Sequence, residues 1–273
     1  MNFHVITLFP EVIEAYASAS ILGRAQKKGK LKVKTYQLRD FVTNKWGKAD
    51  ERPYGGGPGM VLLAEPIIRA VEKIKKDFVK RPGRKNYDIM IYHKKYPRPR
   101  VIITSAGGKP LTNAYARKLS KAKEVVIICG RYEGVDARVK KALKAEEISV
   151  GPYILTGGEV PALAIIDATA RQIRGVLGKF QSLEEGRIAS HEIFTRPEVL
   201  KYKGKIYRVP KVLLSGHHAH INALWSKKRS VWKGGLTKSD GLLYWLVKPK
   251  RAVPSVALAK EGRGLSFEGE VST

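Results

Sequence analysis

Three glycine-containing loops are the part of the sequence best suited to binding a polar ligand. They span residues 105–108, 130–134 and 151–153, and each follows a short run of β-branched residues. Glycine has no Cβ, so a ligand can approach the main chain closely and bind its N–H and C=O groups. A single such glycine is more typical of a plain turn. Three such loops in one part of the chain favour a ligand site.

The segments around these loops alternate between strand-like and helix-like patterns. A strand followed by a helix, repeated along the chain, predicts an α/β fold with a parallel sheet. Ligands of open α/β sheets bind at the carboxyl ends of the strands, so we expect the three loops to lie together there. The predicted strands are residues 3–8, 101–104, 124–129 and 148–150, and the predicted helices begin after Thr112 and Asn113 or span residues 136–145 and 160–173.

Motifs of several common enzyme classes are missing from the chain. G-x-G-x-x-G and the P-loop are absent, as are H-E-x-x-H and G-x-S-x-G. Their absence argues against dehydrogenases, P-loop NTPases, zinc metalloproteases and α/β-hydrolases. The single cysteine, Cys129, lies in an apolar run and is expected to be a buried, inert thiol.

The charge balance indicates a polyanionic partner. The chain of 273 residues has 52 Lys and Arg against 24 Asp and Glu, a net charge of +28. Nucleic acid is the first candidate because each phosphate contact releases condensed counterions, and compositional drift of a whole genome is the alternative. His217, His218 and His220 have no carboxylate or cysteine beside them, so RNA contact or packing is favoured over a metal site. No metal site is therefore predicted.

Composition and periodicity also predict the domain organisation. Residues 1–178 contain the α/β pattern, residues 179–190 have the weak periodicity of a linker, and residues 191–273 form a second, strongly basic region. Within the first domain, residues 73–100 are a basic insert with interleaved tyrosines. Because bases stack on aromatic rings and phosphates pair with cations, this insert either contacts RNA or is a solvated insertion anchored by its tyrosines.

The N-terminal residues and the apolar runs give no indication of a membrane partner. The N-terminus lacks the basic and apolar regions of a signal peptide. No apolar run reaches the roughly 20 residues that span a bilayer. We therefore expect a soluble, cytoplasmic protein.

Six further stretches occur together and in a characteristic order. They are residues 6–11 (ITLFPE), 52–60 (RPYGGGPGM), 129–136 (CGRYEGVD), 149–161 (SVGPYILTGGEVP), 195–197 (TRP) and 213–219 (LLSGHHA). In these stretches the chain resembles the bacterial tRNA (guanine-37-N1)-methyltransferases, a TrmD-like family of the SPOUT superfamily. The resemblance runs from residue 1 to about residue 230. One glycine triplet would be weak evidence, whereas six ordered motifs are specific.

The resemblance implies a SPOUT fold, in which the C-terminal part of a parallel sheet is threaded into a trefoil knot, followed by a small, mostly helical, basic domain. It also implies a homodimer with active sites at the subunit interface and tRNA as the RNA partner. The methyl donor would be S-adenosylmethionine (SAM), and a need for Mg²⁺ is left open. Matching motifs assign SAM contacts to Ser105, Ala106, Gly107, Gly130, Tyr132, Glu133, Val150, Gly151, Pro152, Tyr153, Ile154, Leu155, Gly157 and Gly158.

Methylation of guanine N1 needs two catalytic groups. The nitrogen keeps its proton near neutral pH, so a general base must remove it, and a cation near O6 would stabilise the charge that develops. The resemblance assigns the cation to Arg171. A structural salt bridge with Asp167, one helical turn away, is the alternative role for this arginine.

The general base is the point at which the chain departs from the family pattern. The family base is a linker aspartate that opens an Asp-Ser-Phe stretch, and residues 183–192 contain no aspartate. Glu185 is the nearest carboxylate and is our candidate base. Glu184, His191 or an ordinary solvated linker are the alternatives.

Three functions remain open from the sequence. The first is methylation of guanine N1 at tRNA position 37. The second is a SPOUT methyltransferase with another RNA target, which the basic insert and the tail would serve. The third is a non-catalytic relative that binds SAM and RNA but lacks the base.

Overall fold

The computed structural model describes residues 1–79, 99–177, 193–221 and 223. The chain divides into two compact units, Met1–Ala189 and Ser190–Thr273. Three candidate bases, Glu184, Glu185 and His191, lie outside the described residues.

A five-stranded parallel sheet forms the centre of the first unit. The strands of this unit are β1 (Asn2–Thr7), β2 (Lys32–Gln37), β3 (Asp50–Glu51), β4 (Val61–Leu62), β5 (Arg100–Pro110), β6 (Glu124–Ile128) and β7 (Glu146–Ser149). The large sheet has the order β2-β1-β6-β5-β7 and every pair in it is parallel, whereas β3 pairs with β4 in an antiparallel ribbon. The predicted α/β fold with a parallel sheet is confirmed, and so is the prediction that the first strand belongs to this sheet.

Within the described residues of this unit, six helices accompany these strands, together with a 3₁₀ turn at Leu38–Phe41. They are α1 (Pro10–Ser18), α2 (Ser20–Lys27), α3 (Ala64–Val79), α4 (Asn113–Leu119), α5 (Ala137–Leu143) and α6 (Glu159–Arg171). Thr112 caps α4 by accepting a hydrogen bond from the Tyr115 amide at 3.1 Å, and Asp136 caps α5 by accepting one from the Arg138 amide at 2.8 Å. The helix predicted after Thr112 and Asn113 is confirmed as α4, and the helices predicted at 136–145 and 160–173 are confirmed within two residues at each end.

Both faces of the sheet are buried. On β6, Val126 and Ile128 pack into a hydrophobic cluster that includes α3 and α5. The alternate residues, Val125 and Ile127, pack into a second cluster that includes α1, α2, α4 and α6. This double burial explains why the strands have continuous apolar sequences rather than an alternating pattern.

The segment that joins β7 to α6 runs across one end of the large sheet. β7 is an edge strand that pairs with β5, yet α6 packs against α1, α4 and β1. Ile165 and Ile166 of α6 share a buried cluster with Phe3 and Ile13. Residues 150–158 therefore cross from the edge of the sheet towards its middle, and we call them the crossing segment.

The described part of the second unit is a β-hairpin followed by a helical turn and by further helical residues at 218–221 and 223. Its strands are β8 (Val199–Tyr202) and β9 (Lys205–Arg208), and the turn is α7 (Lys211–Leu214). Lys203 and Gly204 join the strands with φ of 49° and 74°, as a tight two-residue turn requires. The prediction of a mostly helical domain depends largely on residues from 224 onward, which lie outside the described part.

The basic insert predicted at residues 73–100 is only partly described. Its first residues belong to α3, which continues to Val79, and its last residue, Arg100, opens β5. Residues 80–98, with all the interleaved tyrosines, lie outside the described part. Among the described residues, no helix is both long enough and apolar enough to cross a membrane.

Candidate functional site

A cavity of about 390 Å³ lies at the carboxyl ends of β5, β6 and β7. The three glycine-containing loops line it together, as expected from their places after the strands. Every residue with a predicted SAM contact lines the cavity except Pro152, whose side chain is exposed between Gly151 and Tyr153. The SAM contact of Pro152, which would be made through its main chain, stays a prediction.

The first loop is a bulged continuation of β5 rather than a loop. Its pairing with β7 slips between Thr104 and Lys109, so residues 105–108 bow out towards the cavity. Gly108 is required at the end of this bulge because a Cβ there would lie 2.6 Å from the main chain of Glu147 and Ile148. The residues of this bulge thereby form one wall of the cavity.

The second loop follows β6 and turns sharply at residues of positive φ. Tyr132 has φ of 57° and Gly134 has φ of 120°. Gly130 donates its amide to Thr104 Oγ1 at 3.1 Å, which fastens the start of this loop to β5. A Cβ at Gly134 would meet no atom within 4 Å, so the main chain is open to a ligand there.

The glycine-rich stretch at residues 52–60 borders this second loop. The amide of Glu133 donates to the Met60 carbonyl at 3.0 Å, and the amide of Leu62 donates to the Gly134 carbonyl at 3.0 Å. Gly59 has φ of 89°, and a Cβ there would lie 2.6 Å from Glu133 Oε1. Two of the motifs quoted from the sequence therefore lie side by side next to the cavity.

The crossing segment is the third wall and contacts the second loop directly. The amide of Gly158 donates to the Gly130 carbonyl at 2.7 Å. A Cβ at Gly158 would lie 2.1 Å from Thr104 Oγ1 and 2.6 Å from the Gly130 nitrogen, so only glycine fits. Arg131 and Gly157 also form an antiparallel bridge.

A buried ion pair lies behind this contact. Glu159 Oε2 accepts a hydrogen bond from Arg131 Nε at 3.1 Å, and Glu159 Oε1 accepts one from the Thr7 hydroxyl at 2.7 Å. The Arg131 guanidinium also lies over the Phe9 ring, 4.3 Å from its centre. No pattern in the sequence singled out these residues, although all four belong to quoted motifs.

Charged side chains line one side of the cavity. Glu133, Asp136, Lys140 and Glu147 all contribute, and Lys140 pairs with Glu147 at 2.6 Å. A hydrogen bond from Arg138 lowers the pKa of the Asp136 carboxyl. Asp136 is paired with Arg138 and Glu147 with Lys140, so Glu133 is the lining carboxylate that suits a polar ligand of positive charge.

Arg171 is the last residue of α6 and is partly exposed. Asp167 accepts a 2.6 Å hydrogen bond from the Tyr16 hydroxyl, and this bond raises the pKa of the Tyr16 phenol. Within the described part of the chain, no carboxylate forms an ion pair with Arg171, so the predicted alternative of an Asp167–Arg171 salt bridge is wrong. The guanidinium is therefore free of the described acidic groups.

Cys129 and the histidine cluster are the other potentially reactive side chains noted in the sequence. Cys129 is buried, as predicted, and burial, followed by the charge of Glu159, raises the pKa of its thiol. His217 and His220 are exposed in the second unit and their rings stack at 4.2 Å. Across the described residues, no group of three or more His, Cys, Asp or Glu is arranged to hold a metal ion.

Comparison with known proteins identifies the family. A family model described as tRNA (Guanine-1)-methyltransferase TrmD matches residues 1–242. A tRNA (guanine-N(1)-)-methyltransferase of Desulforamulus reducens is 38% identical over 98% of this chain and 94% of its own. One from Caldanaerobacter subterraneus subsp. tengcongensis is 43% identical over 85% of this chain and 87% of its own.

A solved structure agrees with the sequence comparisons. The crystal structure of tRNA (m1G37) methyltransferase from Aquifex aeolicus is similar with a TM-score of 0.66 and 38% identity, and the match covers 91% of this chain and 99% of that one. Membership of one family therefore accounts both for the sequence motifs and for the cavity that they form. This chain belongs to the tRNA (guanine-1)-methyltransferase family.

Proposed function

We propose that this protein transfers a methyl group from SAM to N1 of guanine 37 in tRNA. The observation that carries the proposal is the cavity at the carboxyl ends of β5, β6 and β7, which is built from motifs of the family to which the chain belongs. The similar structure from Aquifex aeolicus is of a tRNA (m1G37) methyltransferase, which supports the target position.

The lining of the cavity fits SAM in size and chemistry. A volume of about 390 Å³ lies within the usual range for small-molecule sites. Main chain is open at Gly107 and Gly134, where a Cβ would meet no atom within 4 Å. Peptide groups of the bulge, of the second loop and of the crossing segment would hold the nucleoside part, and Glu133 suits a cationic centre. When bound, SAM supplies a methyl group on a positively charged sulfur.

Two side chains would act on the guanine. Arg171 would donate to O6 and stabilise the negative charge that develops as the N1 proton leaves. Glu185 would accept that proton in place of the family's aspartate, and Glu184 and His191 are the alternative bases. Support for Arg171 is that it forms no ion pair with a described carboxylate, since a paired guanidinium would be less available to the guanine.

The knot and the homodimer form part of the same proposal. In a trefoil knot the crossing segment would be threaded through a loop, and the contact of Gly158 with Gly130 is what such threading would produce. Ile154 is 89% exposed, and Leu155 and Val160 are exposed beside it. A second copy that covered these apolar side chains would complete an active site at the subunit interface.

The remaining features concern RNA and ions. A net charge of +28 supports tRNA as the partner, and the second unit would supply much of the contact. A Mg²⁺ requirement would come from ions held jointly by RNA, substrate and protein. We expect the enzyme to act in the cytoplasm, where tRNA is modified.

Methyl transfer to defined transcripts tests the proposal. The protein is incubated with labelled SAM and with tRNA transcripts that carry G or A at position 37. We expect label at N1 of G37 and none in the A37 transcript. Equal labelling of both transcripts would overturn the guanine-37 assignment in favour of another RNA target. SAM binding by calorimetry without any transfer would overturn the catalytic assignment in favour of a non-catalytic binder.

A further inference from the structure

The ion pair of Arg131 and Glu159 adjoins the cavity, but neither residue is among the predicted contacts with SAM or guanine. The Glu159 side chain is 3% exposed and that of Arg131 is 24% exposed. Taking two charges out of water costs free energy that their attraction recovers only with good geometry and further hydrogen bonds. A pair of apolar residues could fill the same space, so stability alone does not account for this pair.

The pair joins three segments that are distant in sequence. Glu159 begins α6, and its Oε1 accepts from Thr7 at the end of β1, 152 residues away. Arg131 follows β6, and its Nη1 donates to the carbonyl of Thr156 in the crossing segment at 3.4 Å. The guanidinium also stacks on Phe9, just after β1. The ends of β1 and β6 and the crossing segment are thus held at one point.

This point lies directly against the wall of the cavity. A Cβ at Gly157 would lie 2.4 Å from Arg131 Nε and 2.6 Å from Glu159 Oε2. Gly157, Arg131 and Thr156 all line the cavity. Any shift of the ion pair would therefore move the crossing segment relative to the second loop.

We propose that Arg131 and Glu159 are positioning residues that hold the crossing segment against the second loop and so set the width of the SAM pocket. The inference rests on the proposed function, because it concerns the same pocket. Neither residue needs to touch the reacting atoms. Their effect is on the affinity for SAM, because the pocket walls carry the peptide groups that bind it.

The test compares variants of the pair with variants of a second Arg–Glu pair. Glu159→Gln keeps the bond from Thr7 but presents an amide to Arg131, and Arg131→Met keeps much of the length but removes the charge. Arg131→Lys keeps the charge and loses the planar fork. The matched controls are Arg69→Met and Glu65→Gln, because Arg69 and Glu65 form an exposed pair on α3.

We expect Glu159→Gln and Arg131→Met to raise the Kd and KM for SAM about tenfold or more, the scale of effect that misplacement of binding groups produces. The kcat at saturating SAM and the KM for tRNA should change much less. Arg131→Lys should recover part of the affinity. The variant that combines Glu159→Gln with Arg131→Met should bind SAM less tightly than either single variant. The increase in its Kd should be smaller than the product of the two single increases. The two controls should bind SAM like the unaltered protein.

The outcomes separate this inference from the proposed function. If the folded variants bind SAM as tightly as the unaltered protein, the positioning inference is wrong, while methylation of G37 by the unaltered protein would leave the proposed function intact. Failure of the unaltered protein to bind SAM would overturn both. Thermal unfolding checks that each variant is folded. If Glu159→Gln does not fold, Thr7→Val removes one bond to Glu159 without changing any charge, and unchanged SAM affinity in that variant would count against the inference.

Discussion

The amide of Gly158 donates a 2.7 Å hydrogen bond to the carbonyl of Gly130, so the segment that enters α6 rests on the loop that leaves β6. Thr104 completes the contact, because its hydroxyl accepts from the Gly130 amide and would be 2.1 Å from any Cβ at Gly158. All three walls of the cavity therefore meet at one place. A change at this place should alter the whole cavity rather than one wall.

Replacing Gly158 by alanine should destabilise the protein and weaken SAM binding together. The added methyl group overlaps main chain of Gly130 and Cys129, and overpacking of this kind costs about 1–3 kcal/mol or more. Urea unfolding and calorimetry with SAM measure the two effects. Gly107→Ala is the control for stability, because a Cβ there meets no atom within 4 Å. Equal stability of the two variants would contradict the close contact.

Loss of the Arg171 guanidinium should slow the chemical step. Removing one group that stabilises developing charge lowers kcat about 100-fold to 1,000-fold. Arg171→Ala should therefore lose kcat with little change in the Kd for SAM, measured by single-turnover methyl transfer and calorimetry. Arg174→Ala, an exposed arginine just beyond α6, is the matched control. A normal kcat for Arg171→Ala would remove it from the mechanism.

The general base is expected to be Glu185. Glu185→Gln removes the proton acceptor with little change in size, and loss of general-base catalysis lowers kcat about 100-fold to 10,000-fold. Glu184→Gln is the matched neighbour and should retain activity. Reversed results would transfer the role to Glu184, and full activity of both variants would leave His191 as the base to test by His191→Gln.

The thiol of Cys129 should be unreactive in the folded protein. It is buried, and burial raises its pKa, so very little thiolate is available to a reagent. We expect modification by a reagent such as DTNB to be slower than in urea by about a hundredfold or more. Since the chain has one cysteine, the release of one equivalent in urea calibrates the assay. Rapid modification without urea would show that the sheet opens at β6.

The ionised carboxylate of Asp136 should stabilise the folded protein at neutral pH, and this stabilisation should be lost in acid. Its pKa is lowered mainly by the hydrogen bond from Arg138, so the ionised form is favoured in the folded state. The contribution is complete above the ordinary carboxyl pKa of 3.8 and is lost as the pH falls through the lowered value. Asp136→Asn keeps a helix cap without the charge, so its urea midpoint should fall less than that of the unaltered protein between pH 7 and pH 3. Equal decreases of the urea midpoint in the two proteins would contradict the lowered pKa of Asp136.

Local patterns in the sequence were sufficient to predict four of the five strands of the sheet and two of the three loops, whereas β2 was missed and the first loop is a bulge. The apolar run at residues 124–128 is continuous because both of its faces are buried, and that composition indicates a parallel strand. A glycine directly after such a strand marks the edge where ligands bind. Thr112 and Asp136 precede helical segments, and short polar side chains at that position cap helices by a mechanism that depends on neighbouring residues alone.

Tertiary contacts account for what the patterns missed. Glu159 is buried although glutamate is usually exposed, and only its partners Thr7 and Arg131, brought together by the fold, make this possible. The bulge that replaces the first loop depends on the register with β7, which composition does not specify. The β8–β9 hairpin did have a local signal, since Lys203-Gly204 separates two short runs that contain β-branched and tyrosine residues.

The sheet order has a consequence for the synthesis of the chain. β1 emerges first and soon pairs with β2, but its other neighbour, β6, begins 122 residues after Asn2, where Asn2 and Glu124 are hydrogen-bonded. Contacts of such long separation form slowly, because the intervening chain must be ordered first. One edge of β1 therefore waits for most of the first unit to be translated, and Thr7 waits longer still for Glu159. During that interval the nascent chain presents an open strand edge, which is where chaperones would act and where premature aggregation would begin.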